Sequence, residues 1–182
     1  LFLKVLKKQG IKNRFRHFLI HLQVLRPELF GLLKELKVPA ALQPIFIDED
    51  LKMAKRKLSA KLLETSYALN SIHKATLVAF GSDAPYGGLS PFRGLQAAVT
   101  QQNQEGEVLN PKERLSRKEA LQAYTSGSAY LTFEEGKKGI IAPGYFGDFT
   151  VLSDDFFEIP DKEIGNLRAE MTVVGGKIVY ER

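Results

Sequence analysis

Three short apolar runs, at residues 18–22, 38–43 and 76–80, alternate with amphipathic helical stretches, and this alternation restricts the chain to one broad class of fold. Runs of this length and apolar character suit strands covered on both faces. Ahead of the first run, Leu1, Val5 and Leu6 share a helical face, Lys4, Lys7 and Lys8 lie elsewhere, and Gly10 ends the turn. Between the first and second, Arg26-Pro27-Glu28 opens a helix with proline at its first position and an acid in its first turn. Leu29, Leu32, Leu33 and Leu36 form the buried face of that helix. Pro44 stops the second run. Leu51, Ala54, Leu58 and Leu62 then mark a helical face, and the helix is expected to continue through Leu69 to the third run. Helix and strand in regular succession predict an α/β fold, a parallel sheet covered by helices.

The remainder carries clear punctuation. Ser90-Pro91 begins a helix with the serine as cap and Leu95 and Val99 inward. Residues 101–111 read as a loop. Ser116 and Glu119 have the spacing of a capping box, and the helix they start is expected to reach Tyr130 or Phe133 and stop near Gly136. From Gly139 the texture changes. Residues 139–144 and 148–152 look like short strands, and 171–180 read as a hairpin around Gly175-Gly176. Two units are therefore expected, residues 1–136 as α/β and residues 137–182 as an all-β subdomain.

Charge and composition remove several function classes. Twenty-six Lys and Arg against twenty-one Asp and Glu leave a net charge of +5, without the density expected of a nucleic-acid binder. The basic run at 52–61 could meet phosphate or a membrane surface, but no aromatic residues interleave it for stacking on bases, so it reads as a solvated helix face. The chain has no cysteine, which excludes disulfides, thiolate zinc sites and a cysteine nucleophile. Gly87-Gly88 could cradle an anion but lacks the lysine and spacing of a P-loop. The opening apolar run is too broken by lysines for a signal-peptide core or a membrane span. With no initiator methionine, the chain is expected to continue something longer. No nucleic-acid or membrane partner is expected, and a cytoplasmic location is.

Two residues stand out chemically. In Gly81-Ser82-Asp83-Ala84-Pro85, Asp83 lies just past the third strand, and α/β enzymes keep their chemistry at the C-terminal ends of parallel strands. The same residue could instead form an Asx-turn ahead of proline. His21 sits at the far end of the first strand and would emerge on the same rim. An imidazole and a carboxylate placed there suit a metal such as zinc, although His21 could equally be a hydrogen-bonded histidine at the edge of the core. His17 and His73 read as surface or interface residues.

Several segments, in order, carry a family likeness. Arg16-His17-Phe18-Leu19-Ile20-His21 is similar to an Arg-x-Arg-Ile-Glu-His segment, Gln43-Pro44 to a Val-Gln-Pro strand end, and Gly81 to Pro85 to a Gly-Ser-Asp-Ala-Pro motif. The helix from Pro91 to Thr100, the stretch from Leu115 to Leu121, residues 139–152 and Val173-Val174-Gly175-Gly176-Lys177 fit as well. By these motifs the chain resembles the C-terminal part of the metal-dependent amidohydrolase superfamily, in its amidohydrolase-3, YtcJ-like branch. The resemblance implies about strands six to eight, with their helices, of a TIM-type (β/α)8 barrel, plus the C-terminal strands of a small β-sandwich. It implies that His21 ends strand six as a metal ligand. It implies that Asp83 ends strand eight, contacts the metal, and acts as general base and then general acid in hydrolysis of an amide-like C–N bond. A divalent metal, zinc first, is the implied cofactor, and a small molecule the implied substrate.

Two departures temper this. Ile20 stands where the branch has glutamate and Phe18 where it has its second arginine, which weakens the support expected around His21. The family's His-x-His pair and its strand-four and strand-five ligands have no counterpart, and a TIM barrel typically takes about 250 residues. The expectation is a C-terminal fragment that binds little or no zinc and is inactive alone, closing its open strand edges by rearranging or by oligomerising, a homo-oligomer being the expected assembly. The competing expectation is a non-catalytic relative or scaffold that keeps the fold without a complete metal site.

Overall fold

The computed structural model describes residues 1–10 and 12–182. Its centre is a three-stranded parallel sheet ordered β1 (Leu19–Ile20), β2 (Ala40–Leu42), β3 (Val78–Phe80). Leu19 pairs with Ala40, Ala40 with Val78 and Leu42 with Phe80. Ala40, Leu42, Val78 and Phe80 are all buried, as apolar strands covered on both faces should be. The first strand is shorter than the 18–22 expected, because Arg16, His21 and Leu22 all have positive φ and break the extended backbone on either side of Leu19–Ile20.

Helices supply the cover. α1 (Phe2–Gln9) buries Leu3 and Leu6 and ends at Gly10, whose φ of 61° is the left-handed cap the sequence predicts. α2 (Phe30–Leu36) follows a single 3₁₀ turn from Pro27 to Leu29, with Leu33 wholly buried and Leu29, Leu32 and Leu36 packed around the same core. The long helix expected through Leu69 is instead three pieces. α3 (Ile47–Lys57) starts directly after a turn at Pro44–Phe46, and the chain leaves helical geometry at Leu58. α4 (Ala60–Leu63) and α5 (Leu69–Ala75) follow. Asp48, Glu49 and Asp50 fill the first turn of α3 and Lys55, Arg56 and Lys57 its last, so both ends match the helix dipole. Lys52 and Lys55, in the basic run, pair with Glu105 and Glu107 of the 101–111 loop at 2.6 and 2.8 Å.

α6 (Pro91–Thr100) buries Leu95 and Val99 as expected, though Ser90 makes no side-chain capping bond. The capping box at Ser116 and Glu119 is present and starts α7 (Arg117–Gln122). A π-helical turn from Ala123 to Gly127 joins it to α8 (Ser128–Leu131). A Cβ on Gly127 would stand 2.2 Å from the Val78 carbonyl oxygen, so only glycine lets this turn lie against β3. Residues 139–144 form turns rather than the expected strand, with Gly139 and Gly144 at φ 97° and 88°. β4 (Phe149–Leu152), β5 (Ala169–Val174) and β6 (Lys177–Glu181) then make an antiparallel sheet, including the expected hairpin.

Between β4 and β5 the chain returns to the α/β core. Phe156, Ile164 and Leu167 are buried with Leu33, Val78 and Leu95. Arg117 donates to the carbonyls of Phe156 and Ile159 and pairs with Asp161 at 2.7 Å, and Gly165 N–H donates to Gln96 Oε1 at 2.8 Å. Among the described residues no helix is long and apolar enough to cross a membrane.

Candidate functional site

Parallel strands send their C-terminal ends to one side of a sheet, so the segments that leave β1, β2 and β3 share a rim. His21 leaves β1, Gln43 leaves β2, and Asp83 lies three residues past β3. The sheet order brings the two sequence-predicted site residues to the same edge, on either side of β2. Both are exposed, and both have left-handed backbone, with φ of 71° at His21 and 53° at Asp83. Histidine and aspartate are among the few residues that tolerate this conformation, and such positions concentrate where a rigid scaffold must aim a side chain outward. His17 is exposed and caps a local turn with Asn13, while His73 lies 3.5 Å from Glu119, far along the chain from the rim.

His21 is held on two sides. Its backbone N–H donates to the Ala41 carbonyl at 2.9 Å, and its Nδ1 lies 2.9 Å from Gln43 Oε1. Its ring stacks on buried Phe46, with centroids 6.0 Å apart and planes at 25°. Tyr86, in the loop that carries Asp83, meets the same Phe46 edge-on at 4.7 Å. One aromatic side chain from the β2 exit thus touches both the His21 ring and the Asp83 loop. The loop itself is tightly closed. Tyr86 N–H donates to the Asp83 carbonyl at 2.9 Å, and a Cβ on Gly87 would stand 2.2 Å from the Ser82 carbonyl oxygen.

Beside Phe46, buried Asp50 and Tyr67 form a polar cluster that half-buried Gln23 and exposed Tyr86 join. Asp50 accepts hydrogen bonds from Tyr67 Oη and, at 2.9 Å, from Gln23 Nε2, and Tyr86 Oη stands 3.5 Å from its other oxygen. Burial, and then the hydrogen bond to Asp50, push the Tyr67 phenol well up; the Asp50 charge pushes Tyr86 up too. Both phenols therefore stay protonated as donors at neutral pH. Phe46, Asp50, Tyr67 and Tyr86 were not singled out by sequence reasoning, and Gln43 was named only in the strand-end motif Gln43-Pro44, without a role in the site. For Gln43 the available signal was its place at the end of a strand parallel to the one that ends in His21.

An imidazole nitrogen and a carboxylate oxygen form a donor pair that zinc accepts. They fit as part of a metal site and do not complete one: among the described residues no three His, Cys, Asp or Glu side chains come together to hold an ion. A metal held by His21 and Asp83 would need further ligands beyond those the described residues bring together.

Comparison with known proteins agrees with the motifs. The Amidohydro_3 family model, described as an amidohydrolase family, matches residues 1–180. YtcJ of Bacillus subtilis, assigned to the amidohydrolases, is 38% identical over 184 residues, covering 99% of this chain and 35% of its own. The chain spans about a third of the length of the first curated relatives it matches. Among solved structures, an uncharacterised metal-dependent hydrolase from Pyrococcus horikoshii superposes with a TM-score of 0.75 at 24% identity, covering 87% of this chain and 32% of that one. An adenosine deaminase from Xanthomonas campestris with bound zinc superposes with a TM-score of 0.69 at 18% identity, over 98% and 40% of the two chains. At these identities the superpositions establish the fold that is shared, an α/β fold of TIM-barrel hydrolases.

Proposed function

Because the chain belongs to the amidohydrolase family, in its YtcJ-like branch, we propose that it forms part of a metal-dependent hydrolase acting on amide-like C–N bonds. In this reading β1, β2 and β3 are barrel strands six, seven and eight, and the β4–β6 sheet belongs to a small β-sandwich. His21 and Asp83 contribute two ligands for a divalent metal, zinc by the chemistry of the donors. When bound, the metal supplies the Lewis acidity that lowers the pKa of water. Asp83 accepts the proton of the attacking water at a carboxylate oxygen and returns it to the leaving nitrogen. The left-handed backbone at Asp83 and the Gly87 contact hold the loop that presents this carboxylate.

The observation that carries the reading is the shared rim: a histidine and an aspartate follow the C-terminal ends of parallel strands that flank one central strand. The test is Asp83→Asn in the intact protein. Turnover should fall by about 10²-fold or more, the scale of a general acid–base contribution, while the circular dichroism spectrum is retained. Activity unchanged by the substitution would refute the role given to Asp83.

A non-catalytic relative is the second reading. It is favoured by Ile20 and Phe18, which stand where the family segment ahead of the histidine has a glutamate and an arginine. A His-x-His segment after a strand elsewhere in the same protein, with stoichiometric zinc by elemental analysis, would decide for catalysis.

A further inference from the structure

Gln43 is buried, so both ends of its amide need partners. Nε2 faces the Ala41 carbonyl at 3.5 Å, an atom that can only accept. That contact orients the amide and leaves Oε1, also only an acceptor, 2.9 Å from His21 Nδ1. An acceptor at Nδ1 requires the proton to be on Nδ1, and a neutral ring protonated there has its lone pair on Nε2. The Ala41 carbonyl also accepts the backbone N–H of His21, so one strand carbonyl ties both residues to the sheet. Phe46 holds the plane of the ring by stacking. Ile20, the residue before His21, is apolar and about half exposed and offers His21 no hydrogen bond.

We propose that Gln43 is the positioning residue for His21, its amide oxygen keeping the imidazole in the Nδ1–H form so that Nε2 is the free donor atom. This rests on the reading of His21 as a metal ligand, but the tautomer can be measured without metal or substrate. A ring nitrogen held as a lone pair in advance does not have to lose a proton or turn over before it coordinates, which is how hydrogen-bond partners of ligand histidines raise affinity.

The experiment uses the intact protein labelled with ¹⁵N-histidine and freed of metal. Long-range ¹H–¹⁵N correlations report the tautomer at a pH where the ring is neutral, and His21→Asn identifies the resonance. The unaltered protein should show His21 protonated on Nδ1. Gln43→Glu, which keeps an acceptor, should preserve that pattern, and Gln43→Leu should move His21 toward the Nε2–H form. Zinc affinity, titrated with the metal alone, should fall about 10- to 100-fold in Gln43→Leu and far less in Gln43→Glu. An Nε2–H ring in the unaltered protein, or an Nδ1–H ring that survives Gln43→Leu, overturns the assignment. If the tautomer changes as stated while zinc affinity is the same with and without His21, the positioning by Gln43 stands and the ligand role of His21 fails.

Discussion

Asp50 ties the segment after β1, helix α3, the Tyr67 turn and the loop that carries Asp83 together through single hydrogen bonds. It is buried, yet it sits in the first turn of α3, where the helix dipole favours a carboxylate, and it accepts from Tyr67 and Gln23. Removing one donor leaves part of that carboxylate without a partner in a low-dielectric site, which costs about 1–3 kcal/mol. Tyr67→Phe should therefore lower stability by about that amount, read as a lower midpoint in urea unfolding, whereas Tyr180→Phe, at an exposed tyrosine, should have little effect. At this scale His21 and Asp83 were readable in the sequence because each ends an apolar run. Gln43, Phe46 and Tyr86 were not, since their partners lie 22, 25 and 40 positions away across the sheet from His21 or Phe46, and neither polarity nor periodicity encodes such pairings.

Among the elements, α7 is the one whose start is written most plainly in the sequence and whose energetics can be tested most directly. Ser116 Oγ accepts from Glu119 N–H, and Glu119 Oε2 accepts from the Ser116 N–H at 2.8 Å and from its hydroxyl at 2.6 Å. The Ser116 hydroxyl first, and then its backbone N–H, hold the Glu119 carboxyl below its usual range. A carboxyl with a lowered folded-state pKa adds stability that is present above its unfolded pKa and lost as pH falls through the folded value. Ser116→Ala should cost about 1 kcal/mol at neutral pH. The gap between variant and unaltered protein should narrow as pH falls and Glu119 becomes protonated. Equal gaps in urea midpoints at pH 7 and near pH 3 would contradict this coupling. The break between α3 and α4 was less legible. Leu51, Ala54, Leu58 and Leu62 keep helical spacing across it, but Leu58 leaves the helix after three consecutive basic residues have closed the last turn.

The whole molecule leaves large apolar surfaces in water. β1 lies at an edge of its sheet, and beside it a groove of about 450 Å³ is lined by Phe2, Phe15, Phe18, Ile20, Leu131 and Phe133. In β6, Ile178, Val179 and Tyr180 are 57%, 61% and 47% exposed, so neighbouring positions on both faces of that strand lack cover. Open strand edges and contiguous apolar patches of this kind drive association. We propose that these 182 residues on their own self-associate, so that sedimentation at micromolar concentration should show dimers or larger species. Ile20→Lys, which places a charge on the open edge, should reduce them. A monodisperse monomer would count against the proposal.

The alternation of helix and strand through β3, the end of α1 at Gly10, the capping box of α7, the C-terminal hairpin and the family were all determined by the sequence. These depend on near-neighbour chemistry: a residue that tolerates positive φ, a hydroxyl three positions from a carboxylate, a two-glycine turn, an apolar run with no polar face. Only the tertiary structure decided that His21 is bonded to Gln43, that Phe46 bridges His21 to the Asp83 loop, and that Ile164 buries itself in the α/β core. The first two contacts exist because parallel strands bring the ends of distant segments to a common edge, and the third because the β4–β5 connection packs on α6 and α7; separation along the chain carries no record of either approach.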